Sequence, residues 1–102
     1  VEAFTVEPEV VINNALSERL TVIEVAGRDR PGLLYDLTSS LSDLSLDITS
    51  AHITTFGEKA VDVFYVTDLT GKKIVSETRQ TAIRERLTTV LHGTQSAGSA
   101  KV

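Results

Sequence analysis

GRDRPGLLYDLTSSLSDL, Gly27–Leu44, is where the sequence changes its period. Just before it, Leu20 to Val25 is dominated by β-branched residues, as a strand is. Within it, Leu34, Leu37, Leu41 and Leu44 recur at steps of three and four, which lines them on one side of a helix. Ser39, Ser40, Ser42 and Asp43 then face mostly outward. Pro31 suits the first helical turn, where its missing N–H is not needed, so the pattern predicts a helix over 31–44.

Working upstream, Val10, Val11 and Ile12 form a second apolar run, followed by Asn13-Asn14, a pair that tolerates turn geometry. A strand over about 9–14 joined to the next by a hairpin-like loop is the natural reading. Residues 1–8, with Pro8, read as a linker or extended lead-in. Downstream, LDITSAHITTFGEKAVDVFYVTDL gives two β-rich stretches flanking FGEK, with Val61, Val63 and Tyr65 alternating against Asp62, Phe64 and Val66. Ser76 is a candidate helix cap with Glu77 in the first turn, and Ile83, Leu87, Val90 and Leu91 repeat at helical spacing. Gly93 is a stop signal, and GTQSAGSAKV, residues 93–102, is a small, polar stretch expected to be a flexible tail.

The order is therefore strand, strand, helix, strand, strand, helix. A four-stranded antiparallel sheet with two helices on one face buries both helical stripes, which makes this an α+β chain with one domain over 9–92. In the usual ferredoxin-like order the last strand follows the second helix and flanks the first strand. Here the strand at 9–14 can occupy that edge instead, giving a permuted ferredoxin-like sheet, ββαββα.

Composition limits the function. The chain has 102 residues, 41% hydrophobic and 24% charged, enough for one core. A net charge of −4 with basic residues scattered among acids argues against nucleic acid, whose affinity rests on Lys and Arg against phosphates. No apolar run is long enough for a membrane span, so no membrane partner is expected. With no cysteine there is neither a disulfide nor a thiolate nucleophile, which fits a cytoplasmic setting. His52 and His92 lie far apart without a further ligand at metal spacing, so no metal site is expected. No GxSxG elbow, Walker loop or Rossmann fingerprint occurs, so neither a catalytic residue nor a cofactor is expected in this chain. Phe64 and Tyr65 lack the basic, glycine-containing surround of an RNA-recognition strand; one is expected in the core and the other at an interface.

TVIEVAGRDRPGLLYDLTSSLSDLSLDITSAHITTFGEKAVDVFYVTD, residues 21–68, resembles an ACT domain, the small-molecule-sensing module of many metabolic enzymes. The stretch SLDITSAHITTFGEKAVDVFYVTDLTGKKI is similar to the C-terminal ACT domains of bifunctional uridylyltransferase/uridylyl-removing enzymes, which modify the PII nitrogen-signalling protein. The resemblance implies an amino-acid pocket between the first strand–helix loop and a neighbouring ACT unit, in the same chain or in a homodimer. It implies L-glutamine as ligand, and a regulatory rather than catalytic role, the catalytic machinery lying elsewhere in the parent protein.

The loop has chemistry that suits such a cargo. Amides at a helix N-terminus attract an α-carboxylate. Gly32 permits close backbone approach, Asp29 can pair with an α-ammonium, and Pro31 pre-sets one dihedral. The implied ligand-binding set is Asp29, Arg30, Pro31, Gly32, Leu33 and Leu34, with Asp47, Ile48 and Thr49 against the ligand or across the paired interface. Arg28 and Arg30 also read as solvated or steering charges. Two alternatives stay open: an ordinary capped helix start, and a dimerisation or docking module without a ligand of its own.

Overall fold

The structure is a computed structural model that describes residues 6–93; the expectations for residues 1–5 and for the tail from residue 94 onward lie outside the described residues. Six elements follow one another: β1 (Glu9–Asn13), β2 (Thr21–Arg28), α1 (Leu33–Asp43), β3 (Leu46–Phe56), β4 (Lys59–Asp68) and α2 (Glu77–Leu91). The sheet order is β1-β2-β4-β3, every neighbouring pair antiparallel. β1 fills the edge beside β2, which is the permuted ferredoxin-like arrangement read from the sequence.

Alternation assigns the faces. Ile23 and Val25 of β2 sit opposite Phe64 and Asp62 of β4, and these side chains point toward the helices. Phe64 and Val66 join Leu33, Leu37, Leu41, Ile74, Ile83 and Leu87 in one buried cluster. Full burial of each such side chain is worth about 1.5–3 kcal/mol, so this cluster is the main stabilising feature. Phe64 is accordingly the core aromatic, whereas Tyr65 lies on the opposite face, edge-on to His52 at a ring separation of 5.6 Å.

The loop before the first helix differs from a simple helix start. The helix begins at Leu33, not Pro31. Leu33 N–H donates to the Arg30 carbonyl at 3.2 Å, and Gly32 has φ 82° and ψ −2°. Those are the bond and the third-residue dihedrals of a type II turn, with Pro31 and Gly32 at the two central positions each favours. The later start rotates the stripe: Leu33 is buried, and Leu34, expected in the apolar stripe, is 43% exposed.

The β3–β4 connection is a two-residue turn in which Gly57 takes φ 59°, as a II′ hairpin requires at its first position. β2 runs three residues beyond the expected Val25, to Arg28. Ser76 caps α2, its hydroxyl accepting from Arg79 N–H at 3.2 Å. At the other end of the molecule, fully buried Thr21 donates to Asn14 Oδ1 at 2.6 Å and accepts from Ile74 N–H at 2.9 Å. That pair of bonds ties the β1–β2 loop and the lead-in to α2 to the sheet.

Candidate functional site

The β2–α1 loop is built over the sheet end formed by Arg28, Lys59 and Phe56, which are ladder neighbours. Gly27 and Ala60 pair directly below it, and their small size lets the helix ends approach. A Cβ added to Gly27 would meet Leu91 Cδ2 at 2.7 Å. Asp29 N–H donates to the Glu58 carbonyl at 2.8 Å, so the loop also holds the β3–β4 turn.

The type II turn ends at a helix without a side-chain cap. The first intrahelical bond runs from Asp36 N–H to the Gly32 carbonyl at 3.0 Å, so the amides of Leu34 and Tyr35 precede the helical ladder. Donors of this kind, at the positive end of the helix dipole, suit a carboxylate.

Of the residues singled out from the sequence, Asp29, Arg30, Pro31, Gly32, Leu33 and Leu34 are contiguous around this turn, but their side chains do different things. Leu33 packs into the core and Leu34 faces solvent. Arg30 folds back over the turn: Nη1 donates to the Pro31 carbonyl at 3.3 Å, and Nη2 lies 2.9 Å from Asp36 Oδ2 and 3.1 Å from the Val90 carbonyl. Together with Arg86, which pairs with Asp43 at 2.9 Å, it lines a groove of about 450 Å³ between α1 and the end of α2.

Asp47, Ile48 and Thr49 lie at the far end of the sheet. Asp47 pairs with Thr67, whereas the loop end is marked by Phe56 opposite Lys59. Nine residues of strand separate the two ends, roughly 30 Å at about 3.3 Å per residue. Within one copy these three residues do not share a site with the loop. Thr49 falls in the register shift between Ile48 and Ser50.

One residue that the sequence reading left out of the site stands beneath the loop. Asp62 is 2% exposed, sits on the helix side of β4 between Val25 and Ile53, and its Oδ1 has no hydrogen-bond partner among the described residues. Burial, and then the nearby Asp29 carboxylate, push its pKa up, while the Thr54 backbone N–H draws it partly back. Its signal in the sequence was a polar residue on the same alternation as Phe64 and Val66. Among the described residues, no cluster of three metal-ligating side chains occurs and no helix is long and apolar enough to cross a membrane.

β3 is an edge of the sheet, with no strand on its outer side among the described residues. From Asp47 to Phe56 every residue is exposed, with Ile53 and Phe56 among the large apolar side chains open to solvent. An edge of this length is a template for another strand.

Comparison with known proteins adds two findings. A family model described as "ACR9-like, ACT-like domain" matches residues 9–94. Over 90 residues, 88% of this chain, the sequence is 62% identical to a bifunctional uridylyltransferase/uridylyl-removing enzyme of Bradyrhizobium diazoefficiens; the chain spans 10% of that relative's length.

Proposed function

The chain belongs to the ACT-like domain family, and from that premise we propose that it is the regulatory, amino-acid-sensing part of a larger uridylyltransferase/uridylyl-removing protein. The observation that carries this reading is the preformed Arg30–Leu33 type II turn delivering an uncapped helix start. The amides of Leu34 and Tyr35 take the ligand α-carboxylate and Asp29 takes the α-ammonium. Because the turn is already formed, little ordering entropy is lost on binding.

The second half of the pocket comes from another ACT unit, in the same chain or in a homodimer. Antiparallel pairing of β3 with a second β3 about its midpoint, near Ala51, carries the second copy's Asp47–Thr49 end to the first copy's loop end. The exposed β3 edge and the 30 Å separation within one copy both favour that arrangement. Ile48 and Thr49 then wall the ligand side chain, with L-glutamine as the proposed cargo.

Regulation follows from linkage. Glutamine that binds one state of the parent protein more tightly than the other shifts the balance between adding and removing uridylyl groups on PII, typically by a coupling of about 1–3 kcal/mol. The work of the parent protein is cytoplasmic in this reading. The same exposed edge also supports a ligand-free docking module as the second reading.

Calorimetric titration of the chain with L-glutamine, beside L-glutamate, L-asparagine and D-glutamine, separates the two. The sensing reading expects saturable binding selective for L-glutamine that Asp29→Ala weakens at least tenfold in a folded protein. Self-association without heat from any of the four amino acids favours the docking module.

A further inference from the structure

We propose that Asp62, on the sheet floor under the β2–α1 loop, is the principal anchor for the α-ammonium group of the bound amino acid, with Asp29 as its second carboxylate. This rests on the amino-acid-sensing reading above and assigns a residue to it that the loop itself does not contain.

The geometry singles out Asp62 in three ways. Its strand neighbours on the helix side are Val25 and Ile53, so no side chain across the ladder neutralises it. The cations at this end of the sheet are turned elsewhere. Arg28 and Lys59 pair on the opposite face, Arg28 with Glu58 at 3.5 Å, and Arg30 is held by Asp36 and Val90. Finally, Oδ1 is buried without a hydrogen-bond partner among the described residues, an arrangement that native cores seldom retain without a use.

A primary ammonium answers each deficit. It offers three donors and one positive charge to two carboxylates, of which Asp29 is exposed and Asp62 buried. The uncapped amides at Leu34 and Tyr35 and the carboxylates of Asp29 and Asp62 then present opposite polarity on either side of one turn. That is the pattern of an α-amino acid's two charged groups.

The test compares L-glutamine with glutaramic acid, which keeps the carboxylate and the side-chain amide but lacks the amine, on the wild-type chain and on Asp62→Asn. Glutaramic acid affinity is read by displacement, and circular dichroism verifies folding of both proteins. The expected result is a wild-type preference for L-glutamine of at least tenfold that collapses toward parity in Asp62→Asn, with glutaramic acid binding little changed. An unchanged preference in Asp62→Asn overturns the assignment of Asp62 while leaving the pocket standing. A wild-type chain that binds neither compound overturns the amino-acid reading, and this assignment with it.

Discussion

Arg30 Nη2 donates to the Val90 carbonyl at 3.1 Å across sixty residues of sequence, fastening the loop that opens α1 to the last turn of α2. The same guanidinium pairs with Asp36 at 2.9 Å and lies directly over Gly93, where a Cβ would collide with it. The loop and the C-terminal helix are therefore one mechanical unit.

Arg30→Leu tests that unit. Losing a charge-assisted bond to a carbonyl at a helix C-terminus, with the side chain 24% exposed, is expected to cost about 1–2 kcal/mol. Urea unfolding measures the loss. Hydrogen exchange should accelerate at His92, whose N–H bonds to Thr88 and Thr89 close α2.

Gly32→Ala reports on the type II turn. At φ 82° a Cβ is strained, and the substitution is expected to destabilise by about 1 kcal/mol even though the nearest atom to the new carbon, Arg30 Nη1, is 3.8 Å away. Equilibrium unfolding reads it directly. A loss of this size would come from backbone conformation, since the space for the methyl is open.

Thr21→Val is nearly isosteric and removes both bonds of a fully buried hydroxyl. Asn14 Oδ1 loses its donor and the Ile74 N–H loses its acceptor. A cost of about 2–3 kcal/mol is expected, measured by denaturant midpoint, because unpaired buried polar groups carry their full desolvation penalty.

The fold was legible because each element has a clear period. Ile83 and Leu87 on α2 could be read as a buried stripe from spacing alone, whereas on β4 spacing separated Phe64 and Val66 from Val63 and Tyr65 and only the packed helices show which phase is core. The doublet Leu33-Leu34 could not, since the choice between them depends on where the helix starts, and the backbone of Gly32 decides that. The loop half of the site was legible because turn and helix-start chemistry is local. The Arg30–Val90 clasp and the Asp29–Asp62 proximity join residues that are distant in sequence, and only the packed structure brings them together.

Asp62 also makes a pH prediction. Its pKa is raised from the ordinary 3.8 by burial and by Asp29, so the unfolded chain releases that proton more readily than the folded one. Below pH 3.8 both states hold the proton and no penalty applies; stability is then lost as pH rises through the folded-state value. Asp62→Asn should accordingly melt higher than wild type at pH 7, and the gap should close on acidification toward pH 3. Melting curves across that range check the sign; an Asn variant that melts lower at pH 7 would contradict it.

Binding of an amino acid where the loop of one unit meets the Asp47–Thr49 end of another, as proposed above, makes ligand binding and association reciprocally linked. Sedimentation equilibrium of the chain with and without saturating L-glutamine tests this most directly. A dimer whose dissociation constant falls at least tenfold with L-glutamine is expected, with no such change when His52→Lys, on the sheet face away from Asp62, blunts the β3 edge. A folded chain whose association constant is the same with and without L-glutamine would contradict it.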